Sequence, residues 1–99
     1  MEIRVFYEDT DCGGIVYFAN YFKFMERSRT EWLRENGIDL LEFQNRGYLF
    51  AVTKAQCGYS APARFGDVLY AESMLKSISP ISYIIECEIR LGSGKVLAS

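Results

Sequence analysis

Residues 8–21 read EDTDCGGIVYFANY, and the order of residue types in this stretch decides the architecture. Glu8, Asp9 and Asp11 place three carboxylates within four positions. Gly13 and Gly14 follow, and an apolar, aromatic run then opens the one long helical pattern of the chain. A strand that ends in acids, turns on Gly-Gly and feeds a helix sets carboxylates beside that helix's N-terminus. The first four amides there have no intrahelical acceptor, and the positive end of the helix dipole stands behind them. A carboxylate next to free amide donors can hold an electrophilic carbonyl and attack it.

Upstream, residues 2–8 alternate, with Ile3, Val5 and Tyr7 on one side and Arg4, Phe6 and Glu8 on the other. This predicts a half-buried strand whose second face is partly covered at Phe6. Downstream, over residues 17–36, the period becomes helical. Phe18, Tyr21, Phe22, Met25, Trp32 and Leu33 share a stripe with the small Ser28, opposite Lys23, Arg27, Glu31 and Arg34. About 20 residues at 1.5 Å each predict a helix of roughly 30 Å. Its aromatic stripe predicts burial against a sheet. Gly37 is placed to end the helix in a left-handed conformation.

Residues 38–47 form a link with a short helical turn at 40–44. Strands are expected over 48–59, 67–77 and 82–91, with breaks at 60–63 and at Ser79-Pro80. Gly92-Ser93-Gly94 is a hairpin signal, after which residues 95–99 begin another strand. A strand, a long helix and a run of antiparallel strands predict an α+β fold with the sheet curled around a buried helix.

Composition narrows the function. The 99 residues, 49% hydrophobic and 15% aromatic, suit one well-packed domain spanning 1–99. A net charge of −2 with scattered Lys and Arg gives no electrostatic footprint for nucleic acid. No apolar run is long enough to span a bilayer and no signal-peptide layout opens the chain, so a cytoplasmic location is expected. Cys12, Cys57 and Cys87 are odd in number and lack C-x-x-C spacing, unlike a disulfide framework or a zinc site. Histidine is absent, which excludes Ser-His and Cys-His dyads and His-ligated metals for this chain.

The core D-T-D-x-x-G-x-V-Y-x-x-N-Y lies within residues 4–36, and PARFGDVL follows at 62–69. On these motifs the chain resembles the 4-hydroxybenzoyl-CoA thioesterase family of hot-dog folds, and within it the YbgC-type acyl-CoA thioesterases. The resemblance implies a long central helix wrapped by an antiparallel sheet. It also implies a homodimer or homotetramer with sheets joined edge to edge and acyl-CoA sites at the dimer interface. Asp11 becomes the catalytic carboxylate, and the Phe18 backbone N–H, with the Tyr17 amide as the alternative donor, polarises the thioester carbonyl. Family members usually carry His at the position of Phe18. The backbone role survives that change, since every residue but proline supplies an N–H. Similar proteins also continue through a full last strand, so a C-terminally truncated domain is expected.

The function implied is hydrolysis of short-chain or aromatic acyl-CoA thioesters. CoA is part of the substrate, with acyl carrier protein as the other carrier, and no metal or redox cofactor is required. Asp11 can act as nucleophile or as base for water, and the sequence leaves both routes open. Its alternative role is an Asx-type cap. Cys12 is a rival nucleophile near the helix start, weakened by the lack of a histidine base. Glu8 and Asp9 shape the loop or face solvent, and Cys87 belongs to the core. Tyr7 and Tyr17 are candidate substrate contacts, with packing as the alternative for Tyr7. Arg64 suits a CoA phosphate or is an exposed turn arginine. A non-catalytic acyl-CoA or acyl-carrier-protein binding or interaction module is the second reading. A hot-dog dehydratase is disfavoured by the missing histidine.

Overall fold

The computed structural model describes residues 1–11 and 13–99. Alternation along residues 2–5 puts Ile3 and Val5 into the core, and β1 (Glu2–Arg4) pairs antiparallel with β2 (Val68–Ile78), Ile3 opposite Leu69. β2 pairs with β3 (Tyr83–Leu91), and β3 with β4 (Val96–Ala98). Among the described residues this makes a four-stranded antiparallel sheet in the order β1-β2-β3-β4. A register slip between Leu75 and Ser77 bulges the long hairpin.

The helix α1 (Asn20–Glu35) lies across β2 and β3. Phe24, Leu69, Ile89, Leu97 and Val5 are the largest fully buried side chains. Behind α1 comes α2 (Leu40–Asn45), capped by Asp39, whose carboxylate accepts from the Leu41 and Glu42 amides. The fold is α+β, as the element order predicts.

Several expectations are corrected. The first strand stops at Arg4, because the Asp9 carboxylate captures the Phe6 amide at 2.9 Å and residues Tyr7–Asp9 wind into a 3-10 turn. Phe6 is consequently exposed rather than covered. α1 begins at Asn20 and spans 16 residues, about 24 Å at 1.5 Å each. Its buried face is Tyr21, Phe24, Ser28 and Leu33, whereas Phe18 and Phe22 of the expected stripe are exposed. Residues 48–59 carry strand-like composition but form no strand. A strand exists only through a ladder, and here only residues 58–60 find one, against Leu97 and Ser99, with Tyr59 bridging Ala98. Cys87 is partly buried against the core.

The helix C-terminus is as expected. Gly37 sits at φ +84°, with its amide on the Arg34 carbonyl and the Ile38 amide on the Leu33 carbonyl, a Schellman closure. A Cβ at Gly37 would meet nothing within 4 Å, so strain alone sets the cost of adding one. Gly37→Ala is expected to destabilise by about 1–2 kcal/mol, read as a lowered urea midpoint at unchanged slope.

Candidate active site

The acidic stretch folds back on the aromatic run as a small hairpin. The Asp11 amide donates to the Ile15 carbonyl at 2.9 Å, Thr10 bridges Val16, and the Tyr17 amide donates to the Asp9 carbonyl at 3.0 Å. Gly14, at φ +77°, makes the turn, its amide returning to the Asp11 carbonyl at 3.1 Å. The other edge of residues 14–16 pairs with the Pro-Ala-Arg segment. The Val16 amide donates to the Ala63 carbonyl at 2.8 Å, Ile15 bridges Arg64, and the Phe65 amide reaches the Gly14 carbonyl at 3.3 Å. Two motifs nearly fifty positions apart in sequence thus lie side by side through main-chain hydrogen bonds.

Within this frame Asp11 is exposed, and its Oδ1 accepts from the Gly13 amide at 2.8 Å. This is the Asx turn of the structural reading. It occupies one carboxylate oxygen, and among the described residues the other accepts no hydrogen bond. A Cβ at Gly13 would approach Asp11 Oδ1 to 3.3 Å, so a glycine leaves the carboxylate room. Asp9 is structural: its carboxylate caps the 3-10 turn and its carbonyl takes both the Tyr17 amide and the Asn20 side-chain amide, the latter at 2.9 Å. The rival nucleophile Cys12 lies outside the described residues.

The Asp9 carbonyl fixes where the helix begins. Residues 17–19 form an entry turn, closed by the Asn20, Tyr21 and Phe22 amides on the Tyr17, Phe18 and Ala19 carbonyls. Among the described residues the Phe18 and Ala19 amides donate to no acceptor, which is the state expected of a helix mouth. Asn20→Ala removes the side-chain tie to Asp9 and is expected to cost about 1 kcal/mol, measured by denaturant unfolding.

Aromatic rings surround this mouth. Tyr17 and Phe18 are exposed, with ring centroids 4.8 Å apart, and Tyr7 meets Phe65 edge-on at 5.8 Å. Arg64 is exposed in a turn closed by its amide on the Asp67 carboxylate, and among the described residues its guanidinium makes no ion pair. The structure therefore brings Asp11, Tyr17 and Phe18 together on one hairpin and entry turn, with Arg64 across the adjoining pair. Tyr7 joins them through Phe65.

The sequence reading missed Tyr59. Its hydroxyl donates to the Phe18 carbonyl at 2.7 Å, and its ring meets those of Phe18 and Tyr21 edge-on at 6.3 and 5.2 Å. Partial desolvation, with Cys57 adding to the effect, pushes the Tyr59 hydroxyl up to about 12. Tyr21 is also raised, by burial first, and its hydroxyl accepts from the Ala63 amide at 3.1 Å. The available signal was a tyrosine four positions before the Ala-Arg of the second motif. Two recesses lie away from this constellation. One of about 310 Å³ is lined by Phe43, Arg46, Tyr48, Leu49 and Phe50, and one of about 210 Å³ sits over Ser28, Trp32 and Ser73.

The chain is similar to known proteins in sequence and in fold. The acyl-CoA thioester hydrolase YbgC of Escherichia coli is 40% identical over 82 residues, 83% of this chain and 61% of the relative. The chain thus spans about three fifths of that protein's length. A gentisyl-coenzyme A thioesterase of known structure superposes with a TM-score of 0.93 at 30% identity, covering 99% of this chain and 79% of that one. A 1,4-dihydroxy-2-naphthoyl-CoA thioesterase from Synechocystis gives 0.91 at 26% identity, covering 99% and 73%. The family model of the Thioesterase-like superfamily matches residues 5–99, from the hairpin through the helix to β4, and the chain belongs to that family with its hot-dog fold.

Proposed function

We propose that this chain hydrolyses acyl-CoA thioesters, with Asp11 as the catalytic carboxylate and the helix mouth as the oxyanion site. One observation supports the reading: the backbone pairing of Asp11 with Ile15 and of Asp9 with Tyr17 puts Asp11 on the same hairpin that leads into an entry turn whose Phe18 and Ala19 amides have no acceptor among the described residues. A thioester carbonyl placed on the Phe18 amide gains negative charge on its oxygen as the carbon turns tetrahedral. A donor already aimed at that oxygen is worth about 3–4 kcal/mol in comparable sites.

The free carboxylate oxygen of Asp11 then has two routes. As a nucleophile it adds to the carbonyl carbon, the C–S bond breaks, CoA leaves as thiolate, and water cleaves the acyl-aspartyl anhydride. As a base it takes a proton from water, whose oxygen adds to the same carbon. The tetrahedral intermediate then collapses, the C–S bond breaks, and CoA leaves as thiolate and takes up a proton as the carboxylic acid is released. Neither route calls for a metal or redox cofactor. Arg64 offers its fork to a CoA phosphate. Tyr7 and Tyr17 flank the acyl or pantetheine portion, and aromatic acyl groups suit the ring-lined mouth, in keeping with the aromatic thioesters that name two of the similar structures. The same reading assigns a homodimer or homotetramer in the cytoplasm, and leaves acyl carrier protein as the other carrier. Among the described residues no helix is long and apolar enough to cross a membrane.

The test is thiol release from short-chain and aromatic acyl-CoAs and from acyl carrier protein thioesters. Release from at least one is expected. A second reading follows from Phe18 standing where the family usually has His: a domain that binds acyl thioesters without cleaving them. Saturable acyl-CoA binding with no release from any thioester would select it.

A further inference from the structure

We propose that Tyr59 is a positioning residue of this site, its hydroxyl holding the Phe18 carbonyl so that the Ala19 N–H at the other end of the same peptide faces the reacting oxygen. This rests on the thioesterase reading and adds to it a second backbone donor and the side chain that sets it.

The geometry makes the Phe18 carbonyl depend on Tyr59. Within the helix it receives only the Tyr21 amide, at a long 3.4 Å, whereas the Tyr59 hydroxyl reaches it at 2.7 Å. Tyr59 is itself anchored on both sides by main-chain bonds to the last strand region, Gly58 to Ser99 at 2.7 Å and Ser60 to Leu97 at 2.8 Å. Its ring is wedged edge-on against Phe18 and Tyr21. Tyr21 in turn accepts from Ala63, whose carbonyl holds Val16 of the Asp11 hairpin. The sheet therefore fixes the orientation of the entry turn through one phenol.

The chemistry follows from the peptide group. A donor on a carbonyl oxygen draws density from the amide nitrogen, so the N–H of that peptide becomes a stronger donor. The Ala19 amide is that N–H, and it has no acceptor among the described residues. Its gain is felt most when the substrate oxygen carries full negative charge. The effect belongs to the transition state and not to substrate binding.

Tyr59→Phe keeps the ring and removes only the donor. With an acyl-CoA that the wild type cleaves, kcat is expected to fall roughly tenfold, equivalent to about 1.4 kcal/mol, with KM changed by less than about twofold. A packing role of the ring alone would leave kcat and KM as in the wild type, since phenylalanine keeps the ring contacts with Phe18 and Tyr21. An activity-independent readout is the Ala19 amide resonance in a two-dimensional ¹H–¹⁵N spectrum, which is expected to move upfield in the variant as its polarisation is lost. An unmoved Ala19 resonance overturns the proposal whether or not any thioester is cleaved. A moved resonance with unchanged kcat overturns the catalytic consequence. Asp11→Asn in the same assay keeps the two ideas apart, since its inactivity beside an active Tyr59→Phe would uphold the thioesterase reading while the Tyr59 assignment fell.

Discussion

Asp11→Asn is expected to lower thioester turnover by about two to four orders of magnitude while the protein melts where the wild type does. The two halves of this expectation come from different atoms of one side chain. The bond from the Gly13 amide to Oδ1 needs only a carbonyl-type oxygen, which asparagine retains, so the Asx turn and the hairpin persist. The second oxygen, without a hydrogen bond among the described residues, is the one that in the proposed mechanism attacks carbon or takes a proton from water. An amide does neither at useful rates. Since Asp11 is exposed and makes no ion pair among the described residues, removing its charge leaves no partner stranded in the interior. Thiol release and thermal melts on the same samples check both halves. Turnover close to wild type would remove Asp11 from the chemistry and leave it as the turn-forming residue alone.

Phe24→Ala carries the largest expected stability loss. The side chain is 1% exposed, between α1 and the sheet, with its ring edge-on to Tyr21 at 6.0 Å. Truncating a buried phenylalanine removes its transfer energy and leaves a cavity that close-packed neighbours fill only in part, for about 3–5 kcal/mol. Domains have about 5–15 kcal/mol in total, so this change takes up much of the margin. Phe22, two positions earlier on the same helix but 38% exposed, is the internal control. Its alanine variant is expected to lose less than about 1.5 kcal/mol in the same urea titration. Equal losses at the two positions would mean that the helix presents a different face to the sheet.

That pair also shows where sequence reading stops. Hydropathy weighs Phe22 and Phe24 alike, and a stripe begun at Phe18 leads to Phe22. The observed face runs through Tyr21, Phe24 and Ser28, because the hairpin bonds to Asp9 delay the helix and set its rotation. Those bonds are tertiary and leave no periodic trace. The carboxylate loop was legible because glycine at a positive φ and an acid before a helix are local signals. Gly37 was legible for the same reason. Residues 48–59 differ from the expected strand since strand-like composition reports only a suitable segment, while the ladder depends on a second one. Tyr59 escaped because its partner, the Phe18 carbonyl, is 41 positions away and is a backbone atom that no residue pattern marks.

The three segments around the site, residues 9–11, 14–17 and 63–65, are stitched to one another almost wholly by peptide groups. Peptide groups are common to every sequence. The rings at positions 17, 18 and 65 and the guanidinium at 64 stand out from that lattice without being part of it. The frame therefore does not depend on the identity of the side chains that it displays. On the proposed reading, substitutions at those rings would retune which acyl group is accepted, and substitution of the guanidinium would change the hold on the carrier, while the main-chain frame stays as it is.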